Sequence, residues 1–200
     1  MPDSPAYLEW LVDTGLRWTT FEGKTIEVWE LRHQMTEDTL KEWATHLRSH
    51  YCDVDEIDVL REGTSFSRAE YLEQIKLPDH QSGLGPSIRA GDFGEILIAD
   101  YLEHKLAFWV PRTRYGNKAV RNESVKGADV IGFRFNNDGV EKADTLAIYE
   151  VKTQLSGTTT TGRLQDAIDG SSKDELRRAE SLNAIKQRLL RVVNLPTQAE

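Results

Sequence analysis

Residues 126 to 153, KGADVIGFRFNNDGVEKADTLAIYEVKT, hold two runs of alternating apolar character that restrict the fold more than any other stretch of the chain. Side chains of a strand alternate faces with a period of two. Asp129, Ile131, Phe133 and Phe135 therefore share one face of a first strand, and Leu146, Ile148, Glu150 and Lys152 share one face of a second. A turn around Asn136-Asn137-Asp138-Gly139 joins them as a hairpin. Setting Phe133 opposite Leu146 buries both apolar sets together and puts Asp129 opposite Glu150, whereas a slip of one residue would turn both sets out to solvent. Two carboxylates and a lysine are thereby expected at one end of a face that reads as buried.

Charges in such a place need a reason, because an unpaired carboxylate in apolar surroundings costs several kcal/mol or shifts its pKa until it is neutral. A divalent cation is one reason. Oxygen ligands select hard ions such as Mg²⁺, with Mn²⁺ as an alternative, and Mg²⁺ takes one or two carboxylates while keeping water and phosphate oxygens as its other ligands. A neighbouring lysine would set positive charge where a phosphate oxygen or an attacking hydroxide gains negative charge. The competing reading is a structural Asp/Lys/Glu ion-pair network at a strand end.

The 200 residues suit one domain with an appended subdomain, and 38% hydrophobic residues with five Trp, six Tyr and six Phe indicate a globular core. No run of about 18 apolar residues is present, and the opening MPDSPAYLEW lacks the basic-then-apolar pattern of a signal peptide. A cytoplasmic protein with no membrane partner is expected. The single cysteine, Cys52, excludes an internal disulfide framework and fits a reducing compartment. The net charge of −8 is uneven: residues 1–85 carry 17 acidic and 8 basic side chains, and residues 86–200 carry 16 and 17. A chain this acidic binds a polyanion weakly by itself, so a local basic surface or a partner would have to deliver nucleic acid.

Along the chain, residues 21–31 read as a hairpin and 36–50 as a helix behind Thr36, with Asp53-x-x-Glu56 and Ser67-x-x-Glu70 in capping-box form before two short helices. His46, His50 and Cys52 have a zinc-like spacing without an evident fourth ligand, and surface helix positions explain them better. Residues 78–90, rich in Pro, Gly and Ser, read as a linker between an N-terminal subdomain, 1–85, and a second domain, 86–200. A helix over 91–105 places Glu95 on the stripe of Ile98, Ala99 and Leu102, a second charge on a packing face; a glutamate reaching water from the rim is the alternative. Gly91 and Gly94 beside it permit close backbone approach.

Leu106–Val110 reads as a short strand. From Lys105 to Lys126 six basic residues face one acid, with Trp109 and Tyr115 interleaved, which suits a phosphate backbone or a solvated loop equally. After Lys152, Ser156–Gly162 forms a polar, Thr-rich segment that would serve as a loop over the site or as a phosphate-contacting segment. Two helices follow, near 163–169 and from Lys173 to about Val193, the second with Leu176, Ala179, Leu182, Ile185, Leu189 and Val192 on one stripe.

Glu95 on a helix, Asp129 at the start of a strand and Glu150-Val151-Lys152 at the end of the next resemble, in order and spacing, the PD-(D/E)XK nuclease superfamily over about residues 86–193. GDFGEILIADYL, GADVIGF and YEVKT are also similar to the HamA nuclease-subunit family of the Hachiman anti-phage defence system, which works with a helicase partner. The resemblance implies that Asp129 and Glu150 bind Mg²⁺ together with the Val151 carbonyl. It further implies that Lys152 positions or activates the attacking water and that Glu95 binds a second ion or orients water. Gln165 resembles the glutamine that some families carry on the following helix. Ala128 stands where the proline that names the motif would be, and the chain stops soon after the long helix, where the superfamily often adds a strand.

The expected architecture is a restriction-endonuclease-like α/β core, a mixed sheet flanked by helices, behind an acidic N-terminal α+β subdomain that docks a partner protein. The expected activity is Mg²⁺-dependent hydrolysis of DNA phosphodiester bonds, with little sequence specificity because no base-reading motif is present, gated by a helicase-like subunit. The rivals are a non-catalytic scaffold or nucleic-acid sensor with the same fold and a structure-selective junction resolvase.

Overall fold

The computed structural model describes residues 4–116, 118, 120–136, 142–156 and 162–193. The expected turn at 136–139, the Thr-rich segment 156–162 and the terminal NLPTQAE lie wholly or largely outside the described residues. The chain is mixed α/β and separates into two compact units, Met1–Leu47 and Arg48–Glu200, so the boundary expected at 85/86 falls inside the second unit. Among the described residues no helix is long and apolar enough to cross a membrane.

The first unit holds a 3-10 turn, Ala6–Trp10, and strands β1 (Leu11–Thr19) and β2 (Thr25–Leu31), followed by helix α1 (Glu37–Ser49), along which the chain passes into the second unit. The hairpin expected at 21–31 is longer and starts earlier: β1 pairs with β2 from Leu11↔Leu31 to Thr19↔Thr25, and Gly23, at φ +81°, sits in the turn. The register shifts between Asp13 and Arg17, around Gly15 at φ +74°, and this irregularity hides the first strand from a test of strict alternation. Tyr7 stacks on Trp43 at 4.8 Å between centroids, and Trp10 meets the same indole edge-on at 5.9 Å, which accounts for the aromatic content of this short segment.

The second unit begins with two short helices, α2 (Ile57–Leu60) and α3 (Arg68–Tyr71), packed around buried Cys52, Ile57 and Tyr71. Ser67 and Glu70 form the expected capping box. The Asp53 box does not form, because Asp53 Oδ1 accepts from Asp55 N instead. A π-helical turn, Leu72–Lys76, leads toward helix α4 (Gly85–Leu106). Helix α4 starts six residues earlier than expected, inside the segment read as a linker. Asp79 anchors the chain before it, accepting from Gln81 N and Ser82 N and pairing with Arg121 at 3.1 Å.

Strands β3 (Val130–Arg134) and β4 (Thr145–Tyr149) pair antiparallel, with Phe133 opposite Leu146 and Val130 opposite Tyr149, the register that the apolar pattern requires. Continuing that ladder by one step sets Asp129 across from Glu150. The expected strand at Leu106–Val110 is reduced to one bridge, in which Trp109 and Phe133 exchange backbone hydrogen bonds of 2.7 and 2.9 Å. The described residues thus form two separate two-stranded sheets in place of one larger mixed sheet.

The face chosen by helix α4 corrects an expectation. Val130, Ala147, Tyr149 and Val151 join Ala99, Leu102, Phe108 and Val110 in the core, while Phe135 and Leu146 on the opposite face remain exposed. Ile131 is buried on that opposite face, so both faces carry apolar residues and the packing of the helix decides between them. Two helices close the unit: α5 (Arg163–Ser171) and α6 (Asp174–Val193). Helix α6 buries Ile185 but leaves Leu189 about half exposed, and Ser181 Oγ accepts from Ala128 N at 2.8 Å just before β3.

Candidate functional site

Just past the paired residues of β3 and β4 the backbone leaves the ladder, and the carboxylates of Asp129 and Glu150 flank a cleft of about 430 Å³ that Lys152, Arg114, Arg177 and Lys126 also line. Asp129 Oδ2 accepts from Val151 N at 2.9 Å and Oδ1 accepts from Arg114 at 3.2 Å. Of Val151, expected to offer its carbonyl, it is the N–H that is tied to this carboxylate. The Glu150 side chain is only 3% exposed; Lys152 Nζ donates to its Oε1 and Arg177 to its Oε2 at 2.7 Å. Helix α5 lies against the same carboxylate, since a Cβ added to Gly170 would come within 2.8 Å of Glu150 Cδ.

Glu95 is buried, on the face of α4 that its periodicity predicted, and it does not line the cleft. Arg114 connects it to the cleft, with Nε 3.4 Å from Glu95 Oε2 and Nη1 3.2 Å from Asp129 Oδ1. Tyr115 Oη donates to Glu95 Oε2 at 2.8 Å. Burial pushes the Glu95 carboxyl up to about 7; the Arg114 guanidinium opposes the rise and the Asp129 charge adds to it. Burial and the neighbouring Glu95 likewise raise the Tyr115 hydroxyl well above its ordinary value. Gly94 explains how the helix comes so near the motif: an added Cβ would overlap Thr153 Oγ1 and lie 3.1 Å from Thr153 Cβ. Gly91 meets nothing of this kind.

The basic run between Lys105 and Lys126 is largely engaged within the fold, with Arg114 and Lys126 lining the cleft. Four of its six members turn inward as counter-charges: Arg112 to Asp100 and Glu103, Arg114 to Glu95 and Asp129, Lys118 to Asp92, and Arg121 to Asp79. Lys105 and Lys126 are exposed, and only Lys126 faces the cleft. Asp92 also accepts from Tyr51 Oη at 2.7 Å, so α4 presents a row of buried acids, Asp92, Glu95 and Asp100, to this loop.

Arg114, Tyr115 and Arg177 were not singled out as site residues by sequence. Arg114 and Tyr115 lay inside the basic, aromatic run, read there as outward-facing. Arg177, 27 residues beyond Glu150, had no positional signal at all. Gln165 bonds Asp169 on its own helix at 2.8 Å and does not line the cleft. His46 packs on the Tyr7 ring at 5.8 Å, His50 Nε2 lies 3.1 Å from Arg112 Nη1, and Cys52 is buried in the small core of α2 and α3.

The arrangement concentrates carboxylate oxygens with cations interleaved between them, and the oxygen-only set of Asp129 and Glu150, with Glu95 behind, has the chemistry that fits a hard divalent ion. No curated protein and no solved structure matches the chain. The family model described as HamA matches residues 5–198, nearly the whole length, and the chain belongs to the HamA family, a membership that fits a role in Hachiman anti-phage defence.

Proposed function

We propose that the chain is a Mg²⁺-dependent nuclease that hydrolyses DNA phosphodiester bonds with little sequence specificity. In this reading it is the effector of a defence complex, with access governed by a helicase-like partner that docks on the acidic N-terminal part. The observation that carries the reading is the convergence of Asp129, Glu150 and Lys152 on one cleft at the end of β3 and β4, with Glu95 joined to it through Arg114. On this view α4, β3 and β4 are a reduced PD-(D/E)XK core.

Asp129 and Glu150 would hold the ion, which supplies Lewis-acid charge to the phosphate and lowers the pKa of water. Val151 N–H fixes the Asp129 carboxylate, and Gly170 of helix α5 leaves room for the Glu150 carboxylate beside it. Lys152 would stand over the negative charge that develops on a phosphate oxygen, as a compact cation on a flexible stem. Glu95, whose carboxyl burial pushes up to about 7, stands behind the cleft and is joined to Asp129 through Arg114.

The test is nicking of supercoiled plasmid by Glu150→Gln and Lys152→Ala proteins with Mg²⁺, with and without the helicase-like subunit. Each substitution is expected to lower the rate by about a hundredfold or more. Unchanged nicking by both would reject the site. One observation favours a non-catalytic scaffold instead: Asp129 and Glu150 already have a donor on each oxygen. A wild-type protein that neither binds Mg²⁺ nor nicks DNA, alone or with its partner, would select that reading.

A further inference from the structure

We infer that Arg177, on the first turns of helix α6, is a built-in competitor of the divalent ion for Glu150, so that the placement of α6 sets the metal affinity of the cleft. This deepens the metal-site reading above and rests on it.

Glu150 is nearly inaccessible, yet its two oxygens are held by two cations of different origin. Lys152 belongs to the motif and stands two residues away; Arg177 comes from another element and donates to Oε2 at 2.7 Å. A guanidinium and a hard divalent ion seek the same carboxylate oxygen, and a cation left beside that oxygen repels the ion as well. Both effects act in one direction, against metal binding.

Arg114 differs. Besides Asp129 and Glu95 it donates to the carbonyls of Ala128 and Val125 at 2.6 and 2.7 Å, which fixes it as part of the frame. The Arg177 side chain is 32% exposed, and among the described residues its polar partner is Glu150, so it can withdraw toward water without breaking a bond to the described backbone. Helix α6 is in turn tied to the start of β3 through the Ser181 to Ala128 hydrogen bond, and the Gly127 φ of +115° brings that backbone close to Ser181. A movement of α6 would therefore be felt at both acids of the cleft.

The test is Mn²⁺ binding to EDTA-stripped full-length protein by isothermal titration calorimetry. Arg177→Gln is expected to bind Mn²⁺ about tenfold more tightly than wild type, while Arg177→Lys, which keeps the charge, stays within about threefold of it. Arg177→Met retains the aliphatic stem and is the second charge-removing variant should the glutamine protein fail to fold; the same tightening is expected. Equal or weaker binding by the charge-removing variants overturns the inference and makes Arg177 a residue that positions Glu150. Absence of Mn²⁺ binding in wild type and Arg177 variants alike, matching Glu150→Gln, overturns the metal-site reading itself, which separates the two failures.

Discussion

Tyr115 donates a 2.8 Å hydrogen bond to Glu95 in the interior behind the cleft, and so ties the loop before β3 to the middle of helix α4. The bond stabilises a carboxylate that burial disfavours, and burial wins: the Glu95 carboxyl rises from 4.5 to about 7. In the unfolded chain the group titrates at its ordinary value. Between the two values the folded protein holds more proton, so this contribution to stability is full below about 4.5 and is lost as pH rises through about 7. Glu95→Gln cannot ionise and should remove about 3 kcal/mol of that fall. Urea unfolding in chelator at about pH 5 and about pH 8 measures it. Identical pH dependence in the two proteins would show that Glu95 does not titrate as its surroundings require.

Gly94→Ala sets two effects against each other. Alanine favours the helix by about 1 kcal/mol over glycine, but the new methyl would overlap Thr153 Oγ1, and overpacking costs about 1–3 kcal/mol or more. The overlap should win, giving a net loss of about 2 kcal/mol in thermal or urea unfolding. Adding Thr153→Ala should recover part of it, since Thr153 Cβ remains 3.1 Å away. A stabilised Gly94→Ala protein would mean that the helix does not approach the motif so closely.

Arg112→Met tests the inward turn of the basic run. Asp100 is 0% exposed and pairs with Arg112 at 2.6 Å, so removing the guanidinium takes a counter-charge away from a buried carboxylate. A loss of about 3–5 kcal/mol is expected, partly restored by Asp100→Asn. If Arg112 instead faces phosphate from the surface, the substitution will leave stability within about 0.5 kcal/mol of wild type and weaken DNA binding.

Ala107 ends helix α4 at φ +55°, the left-handed region, and the next residue, Phe108, donates back to Leu102 O at 3.0 Å. Glycine adopts that conformation without the Cβ penalty, so Ala107→Gly should raise stability by about 0.5–1 kcal/mol despite the added freedom of its unfolded chain. Chemical denaturation of the pair decides it, and a destabilised glycine variant would contradict this helix end.

Local pattern by itself determined the β3–β4 register and the burial of Glu95. The two strands carry apolar sets that match in one alignment, and once Phe133 faces Leu146 the positions of Asp129 and Glu150 follow from a fixed period of two. The helical period did the same for Glu95 on α4. Tertiary structure alone decided which sheet face meets the helix, because Val130, Tyr149 and Val151 compete there with Ile131, Phe133 and Ile148, and alternation cannot rank two apolar faces. It also decided where the cations go. Arg112, Arg114, Lys118, Arg121 and Arg177 find their acids between 9 and 42 residues away in the chain, distances at which no spacing rule operates and only the folded backbone brings opposite charges into reach.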